Sequence, residues 1–517
     1  MKKQFLRVLF KQMAYTEISQ TRPGVFYSST RNGFVSESTL TVTNEEFERI
    51  KQELQRTLGI DLQRQEKCPV LTLEATISDR QATLKLKKIQ PLTLHFIEQK
   101  SPTFGGGMVN NVCTQRRLEE ALGPFPLTEQ TVTLIGRTGE TILPGLFPLQ
   151  TQLTSMKVQL RVLEGLPRSS VVIRNENGKE INIVSSFPLG EKEVPDSLAA
   201  PREALEAGKT ARFVNNNMRP FPCRNIESLF AILDLKNEYR INGEKSKLEV
   251  DWRIGSNQLG LMRQFKAMET QSDDRTLRAS YKKLFPNDKN DMTLAKLQTY
   301  ATKANIKAPL FDRLDNDSEK KLSQFDDPQD IREIVAVFLK LYCHVFSGVD
   351  RLFLNAEEAQ TLVETVLSPS KTQTHATRAN TVLGLCREFR ALGVDMVFIT
   401  DAEHGAALVE PPEKGSTETD RAYYVPQPAD SIADIKDILR KHNCAVAENG
   451  NSKGCGDAFA AALDFSLHHT PHLGWPRTQH LVFAQYVASI VYCLDEPNLL
   501  NVPPAAIQEL LGACPKS

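Results

Sequence analysis

A chain of 517 residues with 63 Lys plus Arg against 63 Asp plus Glu, 40% hydrophobic and 24% charged, has the composition of an ordinary globular protein with a large core. Zero formal net charge excludes the tracking of phosphate backbones or anionic lipid by bulk electrostatics, so neither nucleic acid nor a membrane is expected as a partner. The length allows several domains of roughly 100–200 residues, or one large α/β unit with insertions.

Nine cysteines are scattered without a C-x-x-C pair, which argues against a disulfide framework or a thiolate zinc site and for reduced thiols in a cytoplasmic setting. The longest apolar run, 482–490, is broken by Gln485 and falls short of the ~20 residues of a membrane-spanning helix. The opening MKKQFLRVLFKQM has cations, but Arg7 and Lys11 interrupt its apolar stretch, so a secretory signal is not expected. A surface helix fits it, as does a basic amphipathic transit or anchor helix.

In chain order, residues 1–66 are expected to form an extension: a stretch rich in Ser and Thr at 28–43, then a helix capped by Asn44-Glu45-Glu46. From Pro69 short β-rich runs begin, PVLTLEATI and ATLKLKKI, followed by FGGGMVNN and the strand TVTLIG. Residues 171–174 and 181–184 flank Asn177-Gly178, whose tolerance of positive φ predicts a hairpin. ARFVNNN reads as a strand ending in polar residues. From about 223 to 329, mixed-sign sequence such as LMRQFKAMETQ predicts a helical insertion. Beyond it LFLN leads into AEEAQTLVETVL, and a helix at about 377–392 leads into MVFIT. That alternation predicts βαβ units and a parallel sheet covered by helices.

The segment NSKGCGDAFAAALDFSL at 451–467 holds most of the chemical information. Gly454 and Gly456 let the backbone approach an anion, and Phe459, Leu463 and Leu467 follow at helical spacing, so a glycine turn opens a buried helix. Its first N–H groups and its dipole make an anion site, with Asp457 placed to take a proton from a substrate hydroxyl. The plainer reading makes Asp457 a helix cap. His468, His469 and His472 read as a helix end rather than a metal site.

GGGMVNN at 105–111, NAEE at 355–358, TDAEHG at 400–405 and GCGD at 454–457 occur in the order seen in the ribokinase/PfkB family of sugar and nucleoside kinases. The chain resembles that family over about 67–222 and 330–517. The pattern G-G-x-x-x-N matches Gly105, Gly106 and Asn110; N-x-x-E matches Asn355 and Glu358; G-x-G-D matches Gly454, Gly456 and Asp457. VNNNMRP resembles D-x-N-x-R-P, with Asn217 and Arg219 matching and Asn215 standing where Asp is usual.

The resemblance implies a three-layer α/β/α ribokinase-like sandwich at 67–517, interrupted by the helical insertion, with a small β lid near Leu86 and the Asn177-Gly178 hairpin. It implies ATP- and Mg²⁺-dependent transfer of the γ-phosphoryl group to a hydroxyl of a small polyhydroxylated substrate: a sugar, sugar phosphate, nucleoside or cyclitol. Asp457 would be the general base, and backbone N–H groups of Cys455, Gly456 and Asp457 would meet the transferring oxygens. Asn355 and Glu358 would order the water shell of the magnesium, the alternative being a helix cap with an exposed acid. Gly105, Gly106, Asn110 and Arg219 belong on the substrate side. Asp79 is a candidate for binding two hydroxyls, or an exposed turn carboxylate.

On the nucleotide side Thr400 and Gly405 match the family's T-x-G-x-x-G loop, with Ala402 in place of the middle glycine; Asn217, Lys453 and Gln485 complete it. Where the family has D-T-x before G-x-G-D, this chain has Asn451-Ser452-Lys453, losing a carboxylate and gaining a cation. Lys453 then helps to bind phosphate, or marks a changed donor or a degenerate site. Cys455 is expected either to have its thiol activated by the helix N-terminus, and so to be oxidation-sensitive, or simply to pack. A homodimer through the lid is a further expectation. The second reading is a catalytically weak protein of the same fold that senses nucleotide or binds a protein partner through the extension and the insertion. Retention of the complete G-x-G-D turn opposes it.

Overall fold

A computed structural model describes residues 24–28, 35–58, 67–69, 73–78, 80–86, 90–105, 107–122, 132–137, 153–154, 156, 158–163, 168–184, 193–216, 222–240, 246–253, 256–286, 292–313, 318–364, 377–412, 419–427, 431–448, 450–469 and 474–515. The chain opens with β1 (Gly24–Ser28), β2 (Val35–Val42) and α1 (Asn44–Leu58). The short strands β3 (Lys67–Pro69), β4 (Leu73–Ser78), β5 (Gln81–Leu86), β6 (Leu92–His95) and β7 (Glu98–Gly105) lead into α2 (Gly107–Leu122). Next come β8 (Val132–Arg137), β9 (Val158–Leu163), β10 (Arg168–Asn175), β11 (Glu180–Val184), α3 (Glu193–Glu206) and β12 (Ala211–Asn216). The middle holds α4 (Pro222–Glu238), β13 (Leu248–Arg253), α5 (Ser256–Glu269), α6 (Asp274–Leu284), α7 (Leu294–Lys303) and α8 (Pro328–Phe346). After these follow β14 (Arg351–Asn355), α9 (Ala356–Leu362), α10 (Arg378–Ala391), β15 (Met396–Asp401), β16 (Gly405–Glu410) and β17 (Arg421–Pro426). Four helices finish the chain: α11 (Ser431–Lys441), α12 (Cys455–His469), α13 (Arg477–Tyr492) and α14 (Pro504–Gly512).

Nine strands form one sheet in the order β17-β16-β15-β14-β13-β12-β1-β8-β9. It is parallel from β15 to β9 and antiparallel at the β15–β16 and β16–β17 pairs. Its side chains show why helices cover both faces. Leu352 and Leu354 of β14 pack into a cluster with α5, α6, α8 and α10, whereas Phe353 between them packs with α12, α13 and α14. β15 repeats this, with Val397 and Ile399 on one face and Phe398 on the other. Apolar residues at both phases of a period-two strand require cover on both sides, so the expected three-layer α/β/α sandwich forms.

Two expected boundaries change. Residues 24–28, assigned to an extension, lie inside the sheet, where β1 pairs in parallel with both β12 and β8. GVFYS is too short to show a period, and its polar flanks concealed it. The segment at 223–329 is not wholly helical either: α4 crosses over to β13, LEVDWR, which joins β12 to β14. Its charges hid the strand, yet Asp251 and Arg253 are buried. Glu249 and Asp251 pair with Arg351, and Arg253 lies over the Phe353 ring at 5.3 Å.

The other strands make a β lobe of two sheets, β3-β11-β10-β2-β7 and β4-β5-β6. Leu40, Val171 and Ile183 of the first sheet, Leu84 and Leu94 of the second and Phe47 of α1 share one apolar core. The lobe is therefore larger than the lid expected from the segments near Leu86 and Asn177-Gly178, because β2 and α1 belong to it. The predicted hairpin joins β10 to β11; Gly178 has φ 81°, and Asn175 Oδ1 accepts from the N–H groups of Asn177 and Lys179 at 3.1 and 2.8 Å.

A buried ion network fastens α12 to the sheet. Asp464 receives Arg212 and, at 2.9 Å, Arg351; Arg212 also lies 3.2 Å from Asp251, and Arg351 lies 3.2 Å from Glu249. His468 faces Arg351 at 3.0 Å, and its neighbour His469 lies at the end of α12; among the described residues no three His, Cys, Asp or Glu side chains converge as metal ligands. His472 and its surroundings lie outside the described residues. Asp464 stands about two turns beyond Asp457 on the same helix, so the network sets where the N-terminus of α12 ends up. Asp464→Ala takes a shared carboxylate from two buried guanidinium groups, leaving Asp251 to serve both, and is expected to cost about 3–5 kcal/mol of stability, measured by urea unfolding. Among the described residues no helix is long and apolar enough to cross a membrane.

Candidate active site

The turn before α12 is built around two glycines with different duties. Gly454 holds φ at 77°, and a Cβ there would come within 1.8 Å of the Pro497 carbonyl oxygen, so the turn presses against the loop after α13. A Cβ at Gly456 would meet nothing within 4 Å, so this side of the first turn is open. Buried Asn451 holds the turn from within. Its Oδ1 accepts from the Lys453 N–H at 3.1 Å, its Nδ2 donates to the Asp495 carbonyl at 3.2 Å, and its own N–H donates to the Tyr492 carbonyl at 2.7 Å. An amide serves both a donor and an acceptor here, which an ionised carboxylate cannot do. That accounts for an amide side chain at this position.

Asp457, in the first turn, meets α2 across the core. Asn110 Nδ2 donates to its Oδ2 at 3.1 Å over a sequence separation of 347 residues. Asn111 Nδ2 approaches its Oδ1 at 3.5 Å and donates to the Gly107 carbonyl at 2.7 Å. The carboxylate is thus held by side chains of another helix, and the G-G-x-x-x-N and G-x-G-D elements come together. Asn110, expected on a substrate hydroxyl, here donates to the expected base. Asn498 Nδ2 in turn donates to Asn110 Oδ1 at 3.1 Å, and the Leu500 N–H donates to Asn498 Oδ1 at 3.0 Å. Neither Asn111 nor Asn498 was legible as a site residue. Asn111 is adjacent to a motif residue, a signal that could have found it, whereas nothing in DEPNLL points to Asn498.

Lys453 reaches the β lobe. Its Nζ lies 3.3 Å from Glu180 Oε2 at the start of β11, and Arg174 Nε donates to the other oxygen at 2.8 Å. Lys453 therefore joins the glycine turn to the β lobe.

At the carboxyl ends of the strands, register sets Asn355 of β14 beside Thr400 of β15. Asn355 and Glu358 cap α9 reciprocally: Asn355 Oδ1 accepts from the Glu358 N–H at 2.7 Å, and Glu358 Oε2 accepts from the Asn355 N–H at 2.9 Å. The helix-cap reading is realised, and both residues keep access to solvent. Thr400 Oγ1 lies 3.5 Å from the Leu354 carbonyl. Ala402 has φ 44°, a left-handed conformation that costs about 1–2 kcal/mol for a residue with a Cβ. Gly405 is packed so that a Cβ would lie 2.3 Å from the Val425 carbonyl oxygen. Arg378 grips the intervening Asp401 at 2.7 and 2.8 Å, which fixes the loop.

Gln485, expected on the nucleotide side, is buried, and its Nε2 donates to the Val425 carbonyl at 3.2 Å, tying α13 to β17. Gly105 ends β7; Gly106, Asp79, Asn217 and Arg219 lie outside the described residues. Cys455 is not activated. Burial, with Asp457 and Cys493 nearby, pushes its thiol up to about 12, and Sγ donates to the Asn451 carbonyl at 3.3 Å. At pH 8 the thiol is therefore protonated, and iodoacetamide is expected to label Cys455 only after unfolding, as timed alkylation and peptide mass spectrometry would show.

No protein-family profile matches the chain, and no curated protein sequence matches it. Among solved structures the chain is similar to ribokinase from Thermotoga maritima, at 11% identity and a TM-score of 0.48, over 95% of this chain and 99% of that one. It is similar to adenosine kinase from Sinorhizobium meliloti, at 12% identity and a TM-score of 0.46, over 95% and 99% of the two chains. Adenosine kinase from Schistosoma mansoni in complex with 2-fluoroadenosine matches at 12% identity and a TM-score of 0.46, over 92% and 97%.

Proposed function

We propose that the protein is an ATP- and Mg²⁺-dependent phosphotransferase that moves the γ-phosphoryl group to a hydroxyl of a small polyhydroxylated substrate. Sugars, sugar phosphates, nucleosides and cyclitols form the acceptor class. The observation that supports it best is the meeting of Asp457, at the open first turn of α12, with Asn110 of α2. A carboxylate beside helix N–H groups suits proton removal from an acceptor next to a transferring anion. In this reading Asp457 takes the hydroxyl proton, the N–H groups of Cys455, Gly456 and Asp457 meet the equatorial oxygens, and Lys453 adds a cation at the same turn. Gly456, with open space where a side chain would stand, leaves room for the phosphoryl group.

Magnesium, when bound, would neutralise charge on the phosphates. Asn355 and Glu358 fit an outer-sphere role. Their reciprocal cap uses one oxygen of each, a carboxylate accepts several hydrogen bonds, and magnesium retains most of its waters. Closure of the β lobe would exclude water and suppress ATP hydrolysis.

The second reading, a nucleotide-sensing or protein-binding module of this fold, is favoured by the pairing of Lys453 with Glu180 and by the burial of Gln485. An ADP-release screen with Mg-ATP over pentoses, hexoses, their phosphates, nucleosides and inositols separates the two. Acceptor-dependent ADP release for one class is the expected result. No release, together with no thermal shift on adding Mg-ATP or Mg-ADP, overturns the kinase reading.

A further inference from the structure

We propose that Asn498 is a positioning residue that orients the Asn110 amide and, through it, holds Asp457 as a carboxylate. The inference starts from a group whose polarity is not in question. The Leu500 backbone N–H can only donate, and it points at Asn498 at 3.0 Å, so the atom receiving it is Oδ1. The Asn498 amide nitrogen must then face Asn110, at 3.1 Å, and the Asn110 atom receiving it is again Oδ1. That leaves the Asn110 NH₂ directed at Asp457 Oδ2, at 3.1 Å. Asn498 and Asn110 are 3% and 5% exposed, so water does not readily substitute for either partner.

The three hydrogen bonds run head to tail from a backbone donor to a carboxyl oxygen that has to accept. A proton on Oδ2 would set two donors against each other, so the relay keeps Oδ2 an acceptor, and a donated hydrogen bond is stronger to a carboxylate oxygen than to a neutral carboxyl, which suits the form in which a base must begin. The catalytic consequence rests on the proposed role of Asp457; the direction of the relay does not, and it can be read without turnover.

Asn498→Asp reverses the relay with little change of shape. The new carboxylate still accepts from the Leu500 N–H, but it offers an acceptor where Asn498 offered a donor. Asn110 must turn its NH₂ toward residue 498 and its carbonyl oxygen toward Asp457, which places two acceptors in contact. The expected result is a fall in unfolding temperature for N498D that is mostly recovered in N498D/D457N, because the amide introduced by D457N donates to the turned Asn110 oxygen. In an Asn110→Leu background the relay is cut, and the recovery is expected to disappear. An N498D chain that folds only together with D457N is the extreme form of the expected result.

Three outcomes overturn the proposal: an equal loss from N498D with and without D457N, folding in neither case, or recovery that persists with Asn110→Leu and so reflects charge repulsion through space. Where an acceptor has been identified, N498D should lower kcat about tenfold with KM for ATP unchanged, the fold-change that corresponds to one lost charge-assisted hydrogen bond. Absence of acceptor-dependent ADP release from the unsubstituted protein would count against the kinase reading alone and leave the thermal comparison intact.

Discussion

Asp457→Asn is expected to lower acceptor-dependent ADP release by about 10²- to 10⁴-fold, the range over which general-base assistance acts, while the protein stays folded. The substitution keeps the shape of the side chain and an oxygen for the Asn110 amide, so the 3.1 Å contact between α2 and α12 survives. What it removes is the capacity to take a proton. A coupled ADP assay run beside a thermal melt separates the two properties. Full turnover in D457N would place the base elsewhere; lost turnover with a large fall in unfolding temperature would mean that the contact holds the two helices together more than it serves chemistry.

The second large effect comes from comparing the two glycines of the same turn. Gly454→Ala puts a Cβ 1.8 Å from the Pro497 carbonyl oxygen and 2.7 Å from its carbonyl carbon, at φ 77°. Both obstacles are backbone, so the turn or the loop after α13 has to move. Left-handed strain of about 1–2 kcal/mol adds to an overpacking cost of about 1–3 kcal/mol, and stability measured by denaturant unfolding should fall by about 2–5 kcal/mol. Gly456→Ala has no such neighbour, and its stability should hold or rise by up to about 1 kcal/mol, since alanine suits a helix better than glycine. In the proposed reaction its Cβ would enter the space of the transferring phosphoryl group, so phosphoryl transfer should fall while the fold persists. Equal losses of stability in the two variants would contradict the division of labour between these glycines.

The lobe contact has a quieter meaning. Lys453 is held by Glu180 at 3.3 Å, so the cation at the glycine turn is positioned by the β lobe rather than left to solvent. A phosphate arriving at the turn would compete with Glu180 for it. The same contact is what a lobe-to-turn coupling would use in the alternative reading of the protein as a nucleotide sensor.

Local pattern decided a good deal. Alternating apolar runs with intervening helices announced a covered parallel sheet, Asn177-Gly178 announced its hairpin, and Gly454, Gly456 and Asp457 announced a glycine turn opening a helix, because each is a short-range preference of backbone or period. Contacts between residues far apart in the chain were beyond such reading. β1 is a five-residue strand that becomes central only because β12 and β8 accept it, and β13 carries Asp251, which is buried where Arg212 and Arg351 meet it. The bond from the Gln485 amide to the Val425 carbonyl of β17 is likewise a contact between distant residues. Cys455 had two readings, activation by the helix N-terminus or simple packing, and burial decides for packing. The joining of Asn110, Asn498 and Asp457 likewise came from tertiary structure alone, since an amide's hydrogen-bond direction depends on the partners that folding brings to it.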